Sequence, residues 1–311
     1  MSIISKFGSW LLTKKGKNFT AGAACTGIAG LMFIKVLPNT IFIDQYRDVL
    51  HFYKNGFTVP LTKPIKERFN KALDILEIPD IERLFIRPFF SVGFDVFSAG
   101  TTRSRFGSII GIPFNFTYID DDMVDKSVIK LRQESVPWEL DDGKLLYKSL
   151  FLSENAQIYA MAREIEMCRT LKFPIDSLLM VSASLAAYGL GNTLNVKYNM
   201  YAKPRAIRVI MYGLIGAFMF LTYCFIKDAV QLHFERKIDE YLKNKNDIFK
   251  EGGKEYYEKV LMRNIALRGL LGSEGTSLYT ALGNENYILR QKHLPLVQRK
   301  QFFESNATEI M

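Results

Sequence analysis

Three long apolar stretches, residues 19–43, 177–194 and 206–226, stand out in a chain that is otherwise mixed in polarity. Each approaches the roughly 20 residues that an α-helix needs to cross a ~30 Å hydrocarbon layer, so the pattern predicts three transmembrane helices. The first is rich in Gly and Ala, and Gly22, Ala23, Gly27 and Gly30 are small enough to admit a neighbouring helix closely. It is interrupted by Lys35 and Pro38, with Lys35 near enough to the far end to snorkel. The second and third are joined by a short loop holding Lys197, Lys203 and Arg205, which predicts a helical hairpin across the bilayer.

Between the first and second spans, residues 44–172 change period. Apolar positions recur at helical spacing in 44–53 and 63–76. Residues 89–98 and 106–119 are instead rich in Phe, Val, Ile and Tyr, and they flank the turn cluster Gly100-Thr101-Thr102-Arg103-Ser104; this predicts a β-hairpin over 89–119, ended by acidic Asp120–Asp122. A helix over 153–169 follows, with Ser153 as its N-cap. After the third span, residues 227–311 read as helical and charged. They run from Asp228 to Asn246, reach Gly252-Gly253, and resume as an amphipathic helix around 256–271. The fold class expected is a mainly α membrane protein: three transmembrane helices plus an α+β domain, with the C-terminal part packing back on 44–172.

Charge orients this architecture. The chain carries a formal charge of +9 and is 48% hydrophobic, with a mean hydropathy of +0.02. The first acidic residue is Asp44, whereas Lys6, Lys14, Lys15 and Lys17 all fall within residues 1–18. An acid-free basic start of this kind reads as a mitochondrial address, and with no small-residue cleavage site after it the segment is expected to be retained. Basic residues before span one and in the loop between spans two and three place both on the matrix side of an inner membrane. The 44–172 domain and the C-terminal part then share the intermembrane side. The excess charge flanks apolar segments and forms no basic stripe interleaved with aromatics, so no nucleic-acid partner is expected. Cys25, Cys168 and Cys224 are too far apart for a metal clip or a disulfide framework. The spans contain almost no paired ionisable residues of the kind that mark an ion path, which disfavours a small transporter.

The segment Glu251-Gly252-Gly253-Lys254-Glu255-Tyr256-Tyr257-Glu258-Lys259, with residues 264–272, Leu278-Tyr279-Thr280, Lys292-His293-Leu294-Pro295 and the helix 152–164, closely resembles the transmembrane protein 177 family. The resemblance spans nearly the whole chain. It implies a multi-pass mitochondrial inner-membrane factor that stabilises newly made cytochrome c oxidase subunit II together with that subunit's assembly chaperones, with no cofactor and the lipid bilayer as its environment.

More distantly, the order of parts resembles the membrane-embedded zinc peptidases, in which an apolar β-hairpin precedes an HExxH helix, two spans and an ExxxD helix. In a working site of that kind two histidines four apart bind zinc with a later Glu, and the Glu beside the first histidine activates water. The corresponding positions here are Arg163, Glu164 and Met167 on the first helix and Glu235 and Asp239 on the second. Arg is a permanent cation and a thioether is a poor substitute for imidazole, so a degenerate site without metal, and no catalysis, is expected. An active zinc metallopeptidase with an atypical ligand set is the enzyme alternative. The resemblance implies two further expectations: Arg163 pairs with Glu235 in place of the lost ion, and the hairpin edge at Ile109, Ile110, Ile112, Phe114 and Phe116 offers itself to an extended client strand. His293-Leu294-Pro295 followed by Arg299 is similar to the His-Pro and Arg segment near the end of such peptidases, although a local cap is the plainer role for His293.

Overall fold

The computed structural model describes residues 10–118, 124, 126, 129–132 and 134–305. In chain order the elements are α1 (Lys14–Val36), α2 (Ile43–Leu50), β1 (Tyr53–Lys54), β2 (Phe57–Thr58), α3 (Lys63–Ile75), α4 (Asp80–Arg83), β3 (Ile86–Ser91), β4 (Phe97–Gly100), β5 (Ser108–Pro113), β6 (Lys130–Leu131), β7 (Glu134–Ser135), α5 (Asp141–Ser149), α6 (Glu154–Arg169), α7 (Lys172–Lys197), α8 (Arg205–Lys245), α9 (Asp247–Leu270), α10 (Ser273–Leu278) and α11 (Leu296–Glu304). The chain divides into two compact units: residues 1–38 with 171–230, and residues 39–170 with 231–311.

The first unit holds the three membrane-spanning helices α1, α7 and the apolar part of α8, each long and apolar enough to cross a bilayer. Their apolar side chains, among them Phe33, Ile34, Leu178, Val209, Leu214 and Phe218, are exposed rather than packed, as lipid-facing residues are. Thr13 caps α1 by accepting from the Gly16 amide at 3.1 Å. Pro38 and Asn39 end the first span earlier than its hydropathy suggests, in a 3₁₀ turn over Leu37–Asn39. Ile43, expected in the span, is buried instead with Phe89, Ala99 and Ile109. Gly22, Gly27 and Gly30 face open space, so no neighbouring helix packs closely on these three glycines among the described residues.

The second unit is built around α6. Ser153 caps it, accepting from the Ala156 amide at 3.2 Å, and Ala156 to Ala162 are buried without interruption. A helix buried on all sides needs short side chains where its neighbours cross. The run Ala156, Ala160 and Ala162 provides them. Ile65 and Phe69 from α3, Phe90, Ile110 and Ile112 from the sheet, Ile238 and Leu242 from α8, Phe249 and Tyr257 from α9, and Phe303 from α11 complete one core. A satellite of Val136, Leu146 and Ala266 joins α5 to α9.

The sheet corrects the expectation of a two-armed hairpin over 89–119. Its order is β3-β5-β4, with β5 parallel to β3 from Ile86↔Ser108 to Ser91↔Pro113 and antiparallel to β4 from Phe97↔Gly111 to Gly100↔Ser108. The Gly100–Ser104 turn does reverse the chain, but the first arm splits in two because Gly93, at φ +103°, breaks it between β3 and β4. Two consequences follow for the proposed client edge. Ile109, Ile110 and Ile112 lie on the central strand and are fully buried; Ile109 and Ile110 are paired on both sides and Ile112 with Phe90 of β3, so they form no free edge for an added strand. Phe114 and Phe116 have left the sheet for a 3₁₀ turn over Phe114–Thr117, where Phe114 stacks on Phe52 at 4.6 Å between centroids. Ile119 and the acidic stop at 120–122 lie outside the described residues, as do residues 1–9 of the basic start.

The expected break at Gly252-Gly253 is absent as well: α9 runs unbroken from Asp247 to Leu270. Both glycines are used for contact. A Cβ on Gly252 would come within 2.2 Å of the Asn155 carbonyl oxygen on α6, and one on Gly253 within 2.7 Å of the Phe303 ring.

Candidate functional site

Past the end of its apolar run, α8 carries two carboxylates four residues apart, Glu235 and Asp239, and therefore on one helical face. Both are buried, at 4% and 3% exposure, so each requires compensation. Asp239 obtains it from three elements. Tyr159 of α6 donates to it at 2.8 Å, Tyr257 of α9 at 3.1 Å, and Arg299 of α11 grips it with Nε and Nη2 at 2.7 and 2.8 Å. The two phenol oxygens are themselves 2.8 Å apart. The Arg299 guanidinium lies 4.6 Å from the centre of the Tyr257 ring and is itself buried.

Glu235 accepts from Gln231 Nε2 at 2.6 Å and from the Leu294 amide at 2.9 Å. His293 Nδ1 lies 2.5 Å away. A carboxylate at this depth can only accept, so Nδ1 is the protonated ring nitrogen and donates. Arg299 Nη1 is 3.6 Å from Glu235 and so bridges the two acids, offsetting their mutual repulsion. Burial alone would raise the Glu235 carboxyl; the hydrogen bond from His293 and the charge of Arg299 outweigh it and hold the group down to about 2. The opposite holds for the phenols: burial first, and then the Asp239 charge, push Tyr159 well above its ordinary value. This is a saturated ionic knot in which every acid has its cation and every buried hydroxyl its acceptor.

A second carboxylate site lies one turn further along α6. Glu164 accepts from its neighbour Arg163 through Nε and Nη2 at 3.0 and 2.8 Å, and from Ser98 Oγ of β4 at 2.7 Å. The Arg163 guanidinium sits 5.2 Å from the centre of the Tyr256 ring. Burial lowers the Arg163 cation's proton affinity, but Tyr256 and Glu164 more than restore it.

One segment of α9 builds much of this. Glu255 accepts from the Ser153 amide at 2.9 Å and from the Ser153 hydroxyl, which places negative charge at the N-terminus of α6, where the helix dipole favours it. Gly252 permits that approach, Tyr256 underlies Arg163, and Tyr257 reaches Asp239. On the other face Lys254 pairs with Glu304 of α11 at 3.5 Å. Residues 251–257 are therefore a clasp holding α6, α8 and α11 together.

The chain is similar to known proteins along most of its length. The chain is 27% identical over 281 residues to transmembrane protein 177 of Homo sapiens, covering 89% of this chain and 88% of the relative. It is 28% identical over 262 residues to that of Xenopus laevis, covering 83% and 84%, and 25% identical over 285 residues to that of Danio rerio, covering 89% of each. The chain is similar to transmembrane protein 177 along most of its length. No protein-family profile matches it, and no solved structure matches it.

The residues singled out from sequence separate into two groups. Arg163 and Glu164 pair with each other, and Met167 is a partly buried side chain packed against the hydrophobic core. Glu235 and Asp239 lie together, but their cation is Arg299, not Arg163. The expected Arg163–Glu235 pair does not form, because Tyr256 and Glu164 hold the guanidinium at its own turn of α6. His293 turns out to be a partner of Glu235 rather than a local cap. No group of three or more His, Cys, Asp or Glu able to hold a metal ion occurs among the described residues. Sequence reasoning missed Tyr159, Tyr257 and Ser98. The available signal was a Tyr in the most apolar stretch of α6, since a buried phenol needs a partner for its hydroxyl.

Proposed function

We propose that the chain is a non-catalytic assembly or stabilising factor of the mitochondrial inner membrane, acting on newly made cytochrome c oxidase subunit II with that subunit's assembly chaperones. The similarity to transmembrane protein 177 along nearly nine tenths of the chain carries the reading. It is supported by the state of Glu164, which stands where a membrane zinc peptidase has its general base. That carboxylate is occupied by Arg163 and Ser98 rather than open to a water. Arg163 stands in a ligand position, and a guanidinium cannot donate a lone pair to zinc. In this reading the acid-free N-terminal segment and the basic loop between the second and third spans face the matrix, and the α6-centred unit faces the intermembrane space.

The test is a pulse-chase of newly made subunit II in cells lacking the protein, complemented with wild type or Glu164→Gln, alongside elemental analysis of the purified chain. Faster loss of subunit II without the protein, full rescue by the variant and no stoichiometric zinc are expected. Stoichiometric zinc with failed rescue by a stably accumulated Glu164→Gln protein would establish the metallopeptidase instead. Unchanged subunit II turnover without the protein would refute the assembly role.

A further inference from the structure

The two ends of the three-span unit differ in chemistry. At one end Lys172, Lys227 and Asp176 all lie within electrostatic reach of Lys35, and Lys172 Nζ is 3.4 Å from the Asp176 carboxylate. Cations there are answered by an acid. At the other end no acid is present: residues 177–227 contain no Asp or Glu, nor do residues 1–43. Two helices begin there with basic first turns, α1 with Lys14, Lys15 and Lys17 and α8 with Arg205 and Arg208, and neither first turn holds an acidic residue.

That arrangement runs against elementary helix electrostatics. The N-terminus of a helix carries a partial positive charge and favours anions, so cations in the first turn are repelled. Here two such termini meet. Lys17 Nζ lies 5.2 Å from the centre of the Tyr201 ring, in the loop between α7 and α8, and the Arg208 guanidinium lies 5.6 Å from the centre of the same ring. Attraction to the π face holds both cations but neutralises neither. Arg208 Nε is buried and has no hydrogen-bond partner among the described residues. A concentration of positive charge kept in place by a shared ring, together with a buried guanidinium donor, is chemistry that suits an anion.

We propose that this end of the three-span unit binds the phosphate of an anionic phospholipid headgroup, with Arg208 and Lys17 as its ligands and Tyr201 as the platform that holds them together. A lipid is the occupant because the cations stand at the ends of helices whose remaining surface is exposed and apolar: Val209, Ile210 and Leu214 continue directly from Arg208. A headgroup seated on Arg208 would lay its acyl chains along that surface. Tyr198 and Tyr212, each more than a third exposed, supply the amphipathic rings common at the headgroup level.

The experiment uses the full chain, purified in detergent and stripped of lipid, then offered equal phosphatidylglycerol and phosphatidylcholine, with bound lipid counted by native mass spectrometry. Wild type is expected to retain the anionic lipid over the zwitterionic one by roughly twenty-five-fold, each of the two cations contributing about fivefold. The Lys17→Gln, Arg208→Gln double variant should lose that preference, Tyr201→Phe should keep it, and Lys54→Gln, in the other unit, should leave it intact. Tyr201→Ala removes the platform without removing charge and should weaken the preference severalfold, so it carries the test if the double variant does not fold. Equal retention of both lipids by wild type, or an undiminished preference in the double variant or in Tyr201→Ala, would reduce the cations to topology determinants and overturn the proposal. Release of phosphatidylglycerol by millimolar inorganic phosphate would also overturn it, in favour of a free-phosphate site.

Discussion

Arg299 and Asp239, separated by 60 residues in the chain, form a buried two-point ion pair at 2.7 and 2.8 Å. The same arginine extends a third nitrogen toward Glu235. One cation thus supports two acids on α8. The pair ties α11 to the helix that emerges from the third span.

Arg299→Met should be among the most damaging single changes in the second unit. It leaves two carboxylates buried without their cation, a cost of about 3–5 kcal/mol. The expected outcome is a large fall in thermal midpoint and in steady-state level. Asp239→Asn, which removes one of the acids, should partly restore stability in the Arg299→Met background. A midpoint unchanged by Arg299→Met would show that the knot contributes nothing.

A double-mutant cycle separates the observed pairing from the one the sequence suggested. Arg299 and Asp239 should show a coupling energy above about 1 kcal/mol, whereas Arg163 and Glu235, which do not touch, should add within about 0.5 kcal/mol. Strong Arg163–Glu235 coupling in thermal or chaotrope unfolding would contradict the geometry.

Glycine substitutions should divide sharply. Gly252→Ala sets a methyl against the Asn155 carbonyl oxygen, backbone against backbone, and should cost on the order of 1–3 kcal/mol. Gly216→Ala, in the third span, meets nothing within 4 Å and should be neutral. Equal tolerance of both, read as expression and melting temperature, would mean that α9 does not approach α6 so closely.

The knot should impose limits at both ends of the pH scale. Glu235 sits at about 2 in the folded chain against an ordinary 4.5, so its contribution is complete above pH 4.5 and disappears as pH falls toward 2. Acid unfolding should therefore steepen in that window, and His293→Ala, which removes the largest stabilising hydrogen bond, should flatten the change. Tyr159 is raised, so its contribution is complete below about pH 10 and is lost as the pH climbs above it. Tyr159→Phe should soften the alkaline limb while destabilising the protein at neutral pH, because Asp239 loses a donor. Circular dichroism across pH would detect either failure.

The three membrane spans were present in the sequence, although the first gives way at Leu37–Asn39 rather than at residue 43. A run of twenty apolar residues has one stable outcome in a bilayer, and the basic residues around each run mark its ends whatever else the chain does. The α6 helix was equally legible, since Ser153 and the alanine-rich pattern after it are local signals. The sheet and the ionic knot were not. An apolar β-rich segment records that strands exist, but not that Gly93 divides one arm or that β3 returns parallel to β5, because pairing across the chain costs and gains energy only once both partners are placed. The choice of Arg299 over Arg163 was likewise invisible. Both are arginines at plausible positions. Which one meets Asp239 depends on α11 docking behind α9, with Gly253 admitting Phe303, and on Tyr256 holding Arg163 one turn away. Residue type and local spacing determined which segments would be buried and charged; only the close packing of α6, α8, α9 and α11 decided which charges would neutralise one another, since a buried ion pair is specified by proximity in space.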